Sequence, residues 1–147
     1  GEGPAKEFLA RKAGELGVAD RTEFRGWVSN IDDVYASAGV FALPSLHEGF
    51  PNVLAEAMAS GLCCISFDCD FGPRDLIVEG ENGFLVPAGD VDALAGRLQY
   101  VVDHPETRAS VGEKAREIAQ RLDISAVSDL YLDTLIESFE NHHAAIR

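Results

Sequence analysis

The chain has 147 residues, 46% hydrophobic and 25% charged, enough apolar material for one globular domain with a sizeable core. Its formal charge of -13, with 12 Lys and Arg against 25 Asp and Glu, argues against a nucleic-acid-binding surface, because phosphate-backbone recognition needs clustered cations. No apolar run approaches the ~20 residues that span a bilayer, and "GEGPAKEF" has neither the basic nor the apolar region of a signal peptide, so a cytoplasmic location is expected.

"GEGP" at the start is a turn signal with no strand before it. Residues 4–16 follow as a predicted helix, with Phe8, Leu9, Ala13 and Leu16 at helical spacing and Gly17 placed to end it. "TEFRGWV", 22–28, is short and strand-like. Residues 30–38 read as a helix with Asn30 at its N-cap and Ile31, Val34, Tyr35 and Ala38 on one face. "GVFALP", 39–44, is apolar throughout, the pattern of a strand buried on both sides.

The alternation continues with a helix opening at Pro51, the apolar strand "LCCISF", a short helix "GPRDLIVE" and a short strand "GFLVP". A helix over 90–104 is N-capped by Asp90, with Val91, Leu94, Leu98, Val101 and Val102 inward, and helices at about 105–121 and 125–140 close the chain. Strands of this kind, alternating with helices, define a parallel sheet covered on both faces, the doubly wound, Rossmann-like α/β class. The missing opening strand implies that the sequence starts inside its domain. Cys63, Cys64 and Cys69 are an odd number with no second cluster to complete a metal site, and Cys63 and Cys64 suit a buried strand.

In such sheets ligands bind beyond the carboxyl ends of the strands. "PSLHEGF" is a loop of that type, leading into the helix at Pro51. The amides of Phe50, Asn52 and Val53, with the helix dipole, make an anion site that needs no lysine. On the helix, Val53, Leu54, Ala57 and Met58 form the expected buried stripe, and Glu56 lies on the other side, one turn past Asn52. Carboxylates accept hydrogen bonds and donate none, so Glu48 and Glu56, on either side of the amides, suit the two hydroxyl-rich ends of a nucleoside diphosphate sugar. Taken singly, each also reads as a solvated residue or as a complement to the helix dipole.

The segment "FALPSLHEGFPNVLAEAMASGLCCISFD" resembles the E-x7-E region of retaining GT-B glycosyltransferases, in particular their family 4. "GEGP" is similar to that family's glycine-rich turn, "TEFRGWVSNIDDVYASAGVFALPS" to its next β-α-β segment, and "DLIVEGENGFLVPAGDVDALAGRL" to its later signature. The resemblance implies the C-terminal half of a GT-B fold: residues 1–147 are then a single donor-binding domain lacking its first β/α units and the acceptor-binding domain. It further implies that Glu48 contacts the donor sugar and serves as the catalytic residue, that Glu56 holds the ribose, and that the amides of Gly49, Phe50, Asn52 and Val53 face sugar and phosphate. The loop at Gly26, Trp27 and Val28 would lie near the nucleobase, where Trp27 either stacks or packs in the core.

The family's Gly-Gly before an acidic residue is here "DFGPRDLI", and Arg74 within it is expected in solvent, with help to the phosphates as the alternative. The family's upstream Arg and Lys, which neutralise the diphosphate, do not fall within this sequence. The implied reaction moves a sugar from a nucleoside diphosphate donor to an acceptor hydroxyl with retention, without metal or cofactor. The acceptor, a glycan, lipid or small molecule, and any membrane contact would belong to the missing half. The rivals are a glycosidase using Glu48 and Glu56 as its acid and base, a nucleotide-sugar-binding regulatory module, and a sugar-nucleotide epimerase of the same architecture.

Overall fold

The computed structural model describes residues 2–144 along the backbone and 2–139 in their side chains; Gly1 of the "GEGP" turn lies outside them. By contact density the chain divides into two units, residues 1–34 and 35–147.

In the first unit, α1 (Lys6–Glu15) stops as expected, with Gly17 at φ 66° just beyond it, and is followed by a 3₁₀ turn, Ala19–Arg21. Of its predicted inner face only Ala13 is buried; Phe8, Leu9 and Leu16 are exposed. A ten-residue helix against a single 3₁₀ turn has too little surface to cover a full apolar stripe. The strand predicted at 22–28 does not form either, for these residues belong to no ladder of the sheet, and extended backbone counts as strand only when paired. α2 (Ile31–Ser37) follows, its last three residues counted with the second unit, and the Asn30 side-chain amide donates to Asp33 at 2.8 Å.

The second unit holds a three-stranded parallel sheet in the order β1 (Val40–Leu43), β2 (Cys63–Asp68), β3 (Phe84–Pro87). Val40 pairs with Cys63, and Ile65 pairs with Phe84. β1 and β2 are joined through α3 (Asn52–Ala59), β2 and β3 through α4 (Pro73–Leu76), and α5 (Val91–Asp103), α6 (Pro105–Ala115), α7 (Ile118–Arg121) and α8 (Ile124–Ala144) follow. Only the central strand is buried along nearly its whole length. β1, with one neighbour, leaves Ala42 exposed despite its uniformly apolar sequence.

Successive β2 side chains point to opposite faces, and each face has its own core. Cys64 packs with Leu54, Ala57, Met58, Leu76 and Ile118, whereas Cys63, Ile65 and Phe67 pack with Phe84, Val101 and Val111. Both faces are therefore covered, as a doubly wound α/β layer requires. All three cysteines are free and buried; Cys63 and Cys64 lie in β2 as expected, and Cys69 is in the loop after it.

Local hydrogen bonding explains where helices end. α4 is only four residues because the Asn82 side chain accepts from the Val78 amide at 2.7 Å and donates to the Leu76 carbonyl at 3.1 Å, replacing bonds a longer helix would make. Asp90 caps α5 as expected, accepting from the Ala93 amide at 2.8 Å. In α5 Val101 is buried and Leu94 and Leu98 are partly so, but Val91 and Val102, at its two ends, stay exposed. The helix expected over 105–121 divides at Arg116 and Glu117, whose amides bond three residues back rather than four. Among the described residues no helix is long and apolar enough to cross a membrane.

Candidate functional site

Three loops leave the carboxyl ends of the three strands: residues 44–51 after β1, 69–72 after β2 and 88–90 after β3. They lie together. A methyl group at Gly72 would stand 2.6 Å from Pro51 Cδ and 2.8 Å from the Gly49 carbonyl oxygen, and one at Gly89 would stand 3.8 Å from Leu46 Cδ2. The middle loop is pinned from within: the Gly72 amide donates to the Asp75 carboxylate at 3.2 Å, and the Cys69 thiol donates to the Phe71 carbonyl at 3.5 Å.

α3 begins one residue later than the sequence suggests. Pro51 is its N-cap and Asn52 the first helical residue, so the missing proline N–H sits just outside the helix. The amides then divide unequally. Asn52 turns its N–H back onto the Phe50 carbonyl at 3.0 Å, and Leu54 and Ala55 both donate to the Pro51 carbonyl. Asn52 is thus removed from the expected set of free amides, although its side chain is exposed. Among the described residues the amides of Gly49, Phe50 and Val53 donate to no protein group. Val53 also leaves the predicted buried stripe: it is exposed, while Leu54, Ala57 and Met58 are fully buried.

The two glutamates differ in setting. Glu48 is half-buried in the first loop, and its carboxylate has no hydrogen-bond or ion partner among the described residues. Glu56, exposed on α3, accepts from the Tyr35 hydroxyl at 3.1 Å. The helical spacing puts Tyr35 on one face with Ile31, Val34 and Ala38 and carries no link to Glu56. The pair is 21 residues apart in sequence, and only the packing of α2's end against α3 reveals it. Phe50 and Phe71 are both exposed on the loops, at 51% and 70%.

Arg74 is exposed to solvent, as expected, and is also paired. Its Nε donates to the Asp68 carboxylate at 2.9 Å, which raises the guanidinium pKa through that hydrogen bond and then through the charge of Asp68. With half of its side chain exposed, this pair contributes little to stability. It does engage the one Arg among residues 69–76. Trp27 and Val28 belong to the first unit, where Trp27 is 85% exposed and so is not a core residue, and Val28 is half-buried.

Two hollows compare differently with this site. The larger, about 490 Å³, is lined by Ser110, Glu113, Lys114, Arg116, Glu117 and Gln120 and by none of the residues above. Its cations are paired, Lys114 with Glu117 and Arg116 with Glu113, so it presents no unmet charge of either cation. A smaller one, about 210 Å³, lies beside Glu56 between α3 and α7, lined by Ala55, Ala59, Ile118, Ala119 and Leu122. The arrangement on α3 is the better chemical candidate: three free amides at the start of an eight-residue helix attract an anion, and carboxylates stand on both sides of them to accept from hydroxyls.

A parallel α/β layer of this kind is the C-terminal domain architecture of GT-B glycosyltransferases. HepE of Anabaena, solved in complex with UDP-glucose, superposes with a TM-score of 0.83 at 26% identity over 93% of this chain and 38% of its own. Residues 1–118 match the family described as Glycosyl transferases group 1, and the chain belongs to that family. It is 31% identical over 136 residues to the lipopolysaccharide core biosynthesis glycosyltransferase LpsE of Rhizobium meliloti, covering 92% of this chain, and 30% identical over 127 residues to an uncharacterized glycosyltransferase of Haemophilus influenzae, covering 86%. The chain spans 40% and 36% of the length of these two relatives.

Proposed function

We propose that this chain is the donor-binding domain of a retaining, family 4 type glycosyltransferase, which moves a sugar from a nucleoside diphosphate sugar to an acceptor hydroxyl. The observation that carries the reading is the α3 entrance, where an unpaired, half-buried Glu48 and an exposed Glu56 flank the free amides of Gly49, Phe50 and Val53. The E-x7-E spacing of Glu48 and Glu56 fits this use, and the UDP-glucose bound by HepE supports a nucleotide sugar as the ligand class.

The chemical demand of such a transfer is departure of a diphosphate while positive charge grows on the sugar ring. Amides and a helix dipole aimed at the leaving phosphate supply preorganised stabilisation without reorganisation at the moment of reaction. Glu48 accepts from the sugar hydroxyls and orients the ring, and Glu56 accepts from the ribose. Asn52 acts through its exposed side chain rather than its amide. No metal or cofactor is required in this scheme. The acceptor, a glycan, lipid or small molecule, binds a further domain of the complete enzyme, which works in the cytoplasm and touches a membrane only through that domain.

The test is Glu48→Gln in the complete enzyme, assayed with a panel of UDP- and GDP-sugars and with an aryl glycoside. Transfer is expected to fall by about 10²-fold or more, the scale on which loss of substrate positioning acts, while nucleoside diphosphate affinity stays the same because the amides remain. Efficient wild-type cleavage of the aryl glycoside, lost in the variant, would instead identify a glycosidase. Nucleotide binding without turnover of any donor would identify a regulatory module.

A further inference from the structure

Glu56 sits on an exposed stretch of helix, and a free Glu side chain there would sample several rotamers, a freedom that a ligand would have to remove on binding. The structure supplies a constraint. Tyr35 is 6% exposed, with its ring edge-on to Phe41 at 6.2 Å between centroids, so the ring is fixed by the core cluster that also contains Leu54 and Met58. Its hydroxyl faces two acceptors on α3, Glu56 Oε2 at 3.1 Å and the Val53 carbonyl at 3.5 Å. A phenol has one proton, and the ionised, closer acceptor takes it.

We infer that Tyr35 is a positioning residue for the nucleotide: its hydroxyl locks the Glu56 carboxylate in the orientation that receives the ribose diol. The inference rests on the ribose role given to Glu56 above. The donation to Oε2 leaves Oε1 and a second lone pair on Oε2 open, enough for both hydroxyls of a vicinal diol. Because Tyr35 is anchored in the core, the cost of ordering Glu56 is met at folding rather than at binding. This deepens the site beyond its own loop, since the last residues of α2, 21 positions before Glu56, set the geometry of α3's exposed face.

The experiment uses this chain with whichever of UDP and GDP binds more tightly, and with the 2′,3′-dideoxy form of the same nucleotide. Tyr35→Phe removes only the hydroxyl oxygen and is expected to weaken the ribonucleotide about three- to tenfold, the range of one hydrogen bond. The dideoxy nucleotide, which has no diol for Glu56 to hold, should bind wild type and variant within twofold. Equal weakening of both ligands makes Tyr35 merely structural and overturns the inference. So does an unchanged ribonucleotide affinity when Glu56→Gln lowers it, and in that case the ribose reading survives.

If Glu56→Gln leaves the ribonucleotide unaffected, or if neither nucleotide binds, the ribose reading fails and takes the inference with it. A readout on the wild-type protein stands apart from how the variant folds. A slowly exchanging Tyr35 hydroxyl proton, with NMR cross-peaks to the Glu56 γ-methylene, is expected; its absence removes the bond on which the inference depends.

Discussion

Gly72 is the point at which the loop after β2 bears on the loop that carries Glu48, so Gly72→Ala tests whether the two are one mechanical unit. The backbone there has φ 93° and ψ -69°, close to a γ-turn that L residues adopt only under strain, which costs about 1–3 kcal/mol. The added methyl would stand 0.8 Å and 0.6 Å inside the 3.4 Å at which ordinary contact with Pro51 Cδ and the Gly49 carbonyl begins. Neither partner is a flexible side-chain end, so the loop at Gly49 and Pro51 must retreat. Strain alone should lower the melting temperature by about 3–10 °C for a domain of this size. The retreat should shift the amide resonances of Gly49, Phe50 and Val53 and weaken nucleotide binding about tenfold or more, because a displacement approaching 1 Å misaligns the amides. Gly80→Ala is the control: φ is also positive, at 75°, but nothing lies within 4 Å of the added methyl. It should cost stability without moving those resonances. A Gly72→Ala protein that melts within 1 °C of wild type, or that keeps the Gly49 to Val53 resonances in place, would refute the coupling.

Burial pushes the Cys63 thiol from 9.0 up to about 11, against a partial pull downward from Arg108 and Arg97, and burial pushes Cys64 further up still. Both thiols stay protonated in the folded chain while the unfolded chain loses its protons above pH 9. Their contribution is therefore fully present below pH 9 and is lost as pH rises from 9 through 11, roughly 2–3 kcal/mol for Cys63. Urea midpoints of wild type and Cys63→Ala measured from pH 8 to 10.5 should converge with rising pH; parallel curves would contradict the assignment. For the complete enzyme, EDTA is expected to leave at least about half of the transfer activity. Complete loss, restored by Mg²⁺ or Mn²⁺, would show that diphosphate departure needs a metal rather than amides and a helix dipole.

The elements that were legible in the sequence are those whose pattern is decided locally. Asp90 opens α5 because its carboxylate reaches a neighbouring amide three residues on, and "LCCISF" is a strand because uninterrupted apolar residues suit a position buried on both faces. The misreadings share another cause. "TEFRGWV" has strand composition but no ladder, and Phe8, Leu9 and Leu16 stay exposed despite their apolar spacing. Periodicity reports what a segment is able to bury, and pairing or packing by distant residues decides whether it does. The shortening of α4 is of the same kind, since it depends on Asn82, six residues beyond its last turn.

The candidate site follows that division closely. The spacing of Glu48, Pro51 and Glu56 reveals which groups gather at the helix entrance, because a short segment and helix geometry are enough to place them. Which of those groups remain available is a matter of hydrogen-bond accounting that sequence does not carry. The Asn52 amide is consumed by the Phe50 carbonyl, two residues back, through a turn that the Pro51 backbone imposes at ψ 80°, whereas the Val53 amide stays open. Arg74, which read as a solvated cation or a phosphate partner, is engaged by Asp68 at the end of β2. Glu56, expected to hold a ribose or to complement the helix dipole, is bonded to a tyrosine from the preceding helix. The proposed anion site therefore has fewer free amides than its sequence offers, and the carboxylate of Glu56 has a hydrogen-bond partner that an exposed helix position does not by itself supply. Both changes act in one direction. On the proposed donor-site reading, they would narrow the geometries in which a diphosphate and its attached diol are held at once, and selectivity for a ligand carrying both groups needs that narrowing.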